Sequence, residues 1–124
     1  MTTLYLVPGD DFLYTATVLD DDGDAYNLTG ATLWFTVKRR KSDADASAIA
    51  QLYWIDGGAS SGITVATPAT GIAAVRIVAA STTAIVQAAH FWDLQLKDAA
   101  GVVRTVDFGT LVVLSRATAK VVAP

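Results

Sequence analysis

Several short patterns in the chain carry residue types used for catalysis or ligand binding. Gly58-Ala59-Ser60-Ser61-Gly62 spells Gly-x-Ser-x-Gly, the pattern of a sharp turn that presents a nucleophilic serine. That chemistry needs a strand before it, a helix after it, and an acid and then a histidine downstream. No Asp or Glu lies between Ser60 and His90, and no helical pattern follows, so the segment reads as a flexible loop. Asp107-Phe108-Gly109 spells the kinase metal-binding triplet without the phosphate loop, strand lysine or catalytic loop that would give it meaning. Asp20, Asp22 and Asp24 alternate as in a calcium loop, but Ala25 and Ala31 stand where an EF-hand needs Gly and Glu. A solvated acidic turn is the expectation there. His90 is the single histidine and cysteine is absent, which rules out a His/Cys zinc site, a thiol nucleophile and a disulfide framework.

General acid–base chemistry needs paired groups in a pocket. The acidic residues here gather in turns, at Asp10-Asp11, Asp20 to Asp24, Asp43 and Asp45, where turn-forming chemistry accounts for them. The expectation is therefore a non-enzyme with no catalytic residues, no metal and no cofactor. Residues suited to contact with a partner are Trp34, Phe91 and the basic run Lys38, Arg39, Arg40 and Lys41. An exposed Trp is favoured at interfaces. The basic run either meets an acidic partner, such as the acidic turn of a neighbouring subunit, or is a solvated strand end that discourages edge pairing.

The elements that would position these residues are strands. From Phe91 onward, Trp92, Leu94 and Leu96 alternate with Asp93, Gln95 and Lys97, the period of a strand with one buried face. Asp98 to Gly101 supplies a turn and a returning strand closes a hairpin. Upstream, Leu4 to Val7 reads as a short first strand ended by Pro8-Gly9. Phe12 to Leu19 is apolar on both sides, which predicts a central strand. Asp20 to Gly23 turns the chain, and Leu28 anchors the connection that follows. Ala31 to Arg39 is a strand with Leu33, Phe35 and Val37 inward and Thr32, Trp34, Thr36 and Lys38 outward. Ser42, with Asp45 three residues on, could cap a short helix. Ala48 to Ile55 and Ile63 to Ala66 are strands, Pro68 to Gly71 is a turn, and Ala73, Val75 and Ile77 form another inner face. Ser81 to Ile85 reads as one helical turn with Ser81 or Thr82 as cap and Ile85 as plug.

Seven or eight short strands with no long helical period predict an all-β fold, an antiparallel β-sandwich that is Ig-like in outline. One domain spans residues 1–124, with a core of about 4–115 and a tail or exit arm at 116–124. Apolar residues make up 52% and charged residues 17%, against about 25% charged in typical soluble domains. That surplus predicts subunit contact, with richness in Ala as the plainer source. The net charge of −3 argues against general nucleic-acid or anionic-membrane binding. The N-terminus lacks the basic and apolar segments of a signal peptide, and the uncharged stretch from Gly57 to Val75 is too broken to span a membrane.

Gly9-Asp10-Asp11-Phe12, the turn Asp20 to Gly23, and Asn27-Leu28-Thr29-Gly30-Ala31-Thr32-Leu33 follow one another in order. Asp43-Ala44-Asp45-Ala46, Gly62-Ile63-Thr64-Val65, Gly71 to Ile77, Trp92 to Leu96 and Gly109-Thr110-Leu111 continue the series. This order resembles small Ig-like proteins of tailed bacteriophages and prophages, and most of all the N-terminal domain of phage baseplate upper proteins. The resemblance implies a non-enzymatic, tail- or baseplate-associated structural protein, made in the bacterial cytoplasm and incorporated into a virion. It implies a homo-oligomer in contact with other phage structural proteins. A carbohydrate-binding or adhesion module is the alternative, and it would require Trp34, Tyr53, Trp54 and Trp92 to converge on a surface.

Overall fold

The computed structural model describes residues 1–85 and 88–114; the expected exit arm lies outside them. Among the described residues nine strands form two sheets: β1 (Leu4–Leu6), β2 (Phe12–Thr17), β3 (Thr32–Lys38), β4 (Ala50–Ile55), β5 (Ser60–Ser61), β6 (Ile63–Thr64), β7 (Ile72–Ile77), β8 (Ala89–Lys97) and β9 (Val103–Val113). The larger sheet has the order β1-β9-β8-β3-β4-β5 and the smaller has the order β2-β7-β6. This is the expected all-β sandwich, with two differences in detail. The short Ser60–Ser61 strand, in the stretch expected to be a loop, raises the count to nine, and β1 runs parallel to β9.

The alternation read from sequence sets what lies between the sheets. Leu33, Phe35 and Val37 of β3 and Trp92, Leu94 and Leu96 of β8 are buried on one side. Phe12 and Ala16 of β2, Ala73, Val75 and Ile77 of β7, and Ile63 of β6 meet them from the other. Phe35 and Trp92 lie 5.5 Å apart between ring centroids, and Tyr14 stands edge-on to Trp92 at 5.2 Å, the offset geometry that ring quadrupoles favour. Leu28 is fully buried, as its anchoring role requires. Ile85 is buried as the plug above the core.

β2 is not central. Among the described residues it pairs only with β7, at the edge of its sheet, and Leu13 on its outer face is 71% exposed. Apolar residues on both faces therefore do not mark it as an interior strand; one apolar set faces solvent. The helical turn also differs from expectation. It is α1 (Ala79–Thr82), and neither Ser81 nor Thr82 caps it. Its first amide, Ala79 N–H, donates instead to the Asp11 carboxylate at 2.7 Å, and that same carboxylate pairs with Arg76 at 2.7 Å. The Arg76 hydrogen bond, then the Ala79 amide, holds the Asp11 carboxyl below its ordinary range. Thr82 is buried at the end of the turn, where its hydroxyl donates to the Asp10 carbonyl at 2.7 Å and accepts from the Gly9 amide at 3.0 Å. Ser42 caps nothing either: the short 3-10 turn in that connection is Asp45–Ser47 and has no side-chain cap.

The two Asp-x-x-Gly turns form as their chemistry dictates. The Asp20 carboxylate accepts the backbone amides of Asp22 and Asp24 at 2.9 and 3.0 Å, which gives the Asp20 side chain its part in the turn. Asp98 does the same for Ala100 and Val102, both at 2.9 Å, and joins β8 to β9.

Candidate functional site

The outer face of the larger sheet carries a concavity around which chemistry-bearing side chains gather. Its floor comes from residues that alternate away from the core. Cross-strand pairing sets them in rows: Thr110, Phe91 and Lys38; then Phe108, Asp93, Thr36 and Gln51; then Thr105, Gln95, Trp34 and Tyr53. Successive rows are about 7 Å apart along a strand. The connection from β3 to β4 raises one end, through Lys38, Lys41 and Asp45, and Met1 borders the groove elsewhere. The concavity has a volume of about 860 Å³, within the range of small-molecule sites.

A bulge shapes this floor. Leu94 pairs with Asp107 but Gln95 pairs with Thr105, which leaves Val106 as an extra residue on β9. Without it, strict alternation could not turn both Thr105 and Phe108 outward. The same irregularity turns Arg104 toward the interior, the side on which alternation from Leu111 and Gly109 already sets Asp107. Asp107 there accepts the Tyr14 hydroxyl at 3.0 Å and the Thr2 hydroxyl at 3.1 Å, and Arg104 stacks 4.5 Å over the Tyr26 ring. Burial, with the Asp107 carboxylate beside it, pushes the Tyr14 phenol well above its ordinary range.

The electrostatics of the groove centre on Asp93. It is half-buried, and burial raises its carboxyl above the ordinary range against the pull of Lys38. Lys38 is itself occupied by Asp45 at 2.7 Å. Among the described residues none hydrogen-bonds the Asp93 or Gln95 side chain. Gln51 donates to the Thr36 hydroxyl at 3.2 Å, so the Gln51 amide oxygen and the Thr36 proton stay available. Lys41 sits 5.2 Å over the Phe91 ring, a cation–π contact that props the aromatic at the groove's end.

The residues expected to make contacts separate into two groups. Trp34, Phe91 and Lys38 line the groove, with Trp34 and Phe91 half-buried. Arg39 and Arg40 are exposed and lie outside it. Lys38 pairs within its own chain, so its expected bridge to a neighbour's acidic turn has an internal competitor. The four-aromatic platform does not form: Trp54 and Trp92 are buried at 8% and 3% exposure. Phe108 takes part instead. Sequence reading treated it as part of a chance triplet, although counting by twos back from buried Leu111 and Gly109 places it outward.

The patterns weighed for catalysis do not assemble. Ser60 is exposed on the two-residue β5, pairing with Trp54, and so belongs to a strand rather than a free loop. His90 is fully buried near the start of β8, its Nδ1 3.0 Å from the Ala88 carbonyl. Burial holds its imidazole below the ordinary range. Among the described residues no group of three or more His, Cys, Asp or Glu side chains is placed to hold a metal ion, and no helix is long and apolar enough to cross a membrane. No family model and no curated protein matches the chain.

Proposed function

We propose that the chain is a non-enzymatic binding component of a phage or prophage particle, associated with its tail or baseplate, made in the bacterial cytoplasm and built on an Ig-like sandwich. The particle setting rests on the ordered resemblance from about Gly9 to Thr118. The observation that carries the binding role is the groove of the larger sheet, where aromatic side chains stay partly exposed beside the Asp93 and Gln95 side chains, which no described residue hydrogen-bonds. The carbohydrate-binding or adhesion reading gains from the same feature, because the aromatics floor a concavity rather than a flat apolar patch.

Protein–protein contacts then fall elsewhere on the surface. Among the described residues β2 is an edge of six residues that pairs on one side only, and Leu13 is exposed upon it. Such an edge accepts a strand from another copy or another particle protein. Arg39 and Arg40 are available to an acidic neighbour.

Light scattering over a concentration series tests this. The expected result is an oligomer that Leu13→Lys dissociates, because a lysine on a free edge opposes pairing. A monomer at every concentration, with the protein absent by mass spectrometry from particles released by the host, overturns the proposal.

A further inference from the structure

We infer that the groove on the larger sheet is a binding site for an uncharged pyranose oligosaccharide, an assignment that rests on the binding role proposed above. The chemistry of the floor selects among ligand classes. Trp34 and Phe108 line the groove, and the negative quadrupole of an aromatic ring attracts the weakly positive C–H face of a sugar. Phe108 shares the row of Asp93, and Trp34 shares the row of Gln95, about 7 Å away along the strands. A sugar ring over either aromatic therefore lies beside the Asp93 carboxylate or the Gln95 amide, which no described residue hydrogen-bonds.

Other ligands fit this floor less well. An apolar peptide or helix would bury Asp93 and Gln95 without partners, and unpaired buried polar groups are strongly unfavourable. For an anionic ligand, nucleic acid included, the groove offers no net positive charge: Lys38 is paired with Asp45 at 2.7 Å, and Lys41 is offset by the Asp93 carboxylate. A neutral polyol supplies what is missing, since its hydroxyls donate to the carboxylate and its ring covers the aromatics. Trp34 and Phe108 stand one row, about 7 Å, and two strands, about 9.5 Å, apart, so covering both requires more than one sugar unit.

The test titrates the protein with a fixed panel of neutral oligosaccharides of two to six units, built from hexose, N-acetylhexosamine and deoxyhexose. Binding is read by amide and indole NMR shifts. The expected result is saturable binding of at least one panel member at or below about 1 mM, with shifts at Trp34, Asp93 and Gln95. Trp34→Ala and Phe108→Ala should each weaken it at least tenfold. Neither side chain belongs to the buried core, so the thermal transition should persist, and Phe108→Ala decides the matter if Trp34→Ala does not fold. No binding by any panel member, shifts confined to another surface, or unchanged affinity in the folded variants overturns the assignment. Absence of saccharide binding in a protein that still oligomerises and enters particles removes this inference and leaves the proposed role standing. Saccharide binding by a protein absent from particles does the reverse.

Discussion

Replacing Gly109 by Ala should release the N-terminal segment from the sheet. Gly109 is buried on β9 opposite Trp92, in ordinary strand conformation, so its absent side chain is a matter of space. A Cβ there would overlap the Thr2 carbonyl oxygen and lie 2.7 Å from its carbon and 2.9 Å from the Thr2 nitrogen. These are backbone atoms, which cannot rotate aside. Displacing them breaks three hydrogen bonds: Thr2 N–H to the Phe108 carbonyl at 2.9 Å, the Trp92 indole N–H to the Thr2 carbonyl at 3.1 Å, and the Thr2 hydroxyl to Asp107 at 3.1 Å. At about 1 kcal/mol net for each, the loss is about 3 kcal/mol. For a domain of this size that lowers the melting temperature by about 10 °C. Denaturant unfolding measures the loss, and the Trp92 indole resonance reports its new environment. The decisive control removes Thr2 and Thr3, after which Gly109→Ala should be neutral to within about 0.5 kcal/mol, since the two changes act on one contact. A change below that size in the intact chain refutes the reasoning. So does an equal loss in the shortened one.

Leu94→Ala, at a fully buried position in the centre of β8, should cost about 2–5 kcal/mol in denaturant unfolding. His90 is held neutral by burial, so the unfolded chain takes up a proton that the folded chain resists. Stability should therefore fall as pH drops below about 6.5, and His90→Leu should flatten the difference between unfolding at pH 7.5 and at pH 5.5 measured in parallel. Asp93 has the opposite sense: its carboxyl is raised, so its charge disfavours the folded state at neutral pH and that penalty disappears as pH falls through the raised value. Asp93→Asn should raise the melting temperature at pH 7 with a gain that shrinks in acid, and a pH-independent gain, or a loss, contradicts the account.

Reading the chain residue by residue gave correct faces wherever the information is local. A strand alternates with period two because successive side chains point to opposite sides, so the inward sets of β3, β7 and β8 could be named without knowing what they faced. Asp20 and Asp98 bond amides two and four residues on, so their turns too are written in adjacent residues. Half of the candidate site was legible in the same way, since Trp34 and Phe91 fall on outward positions. What alternation cannot carry is the identity of a strand's neighbours. β2 looked central because both its faces are apolar, but edge or centre depends on pairing with residues some 60 positions away. The cap of α1 comes from Asp11, 68 residues distant, so local cap signals at Ser81 and Thr82 pointed to the wrong residues.

The sequence by itself determined the inward faces of β3, β7 and β8, the two Asp-x-x-Gly turns and that the fold is a sandwich of strands, because each of these follows from side-chain chemistry over a few consecutive residues. Only the tertiary structure decided that β1 joins β9 in parallel, that Val106 bulges, and that Phe108, Asp93, Thr36 and Gln51 share one row across four strands. Register is fixed by long-range packing of two sheets against each other, and a groove is made of register.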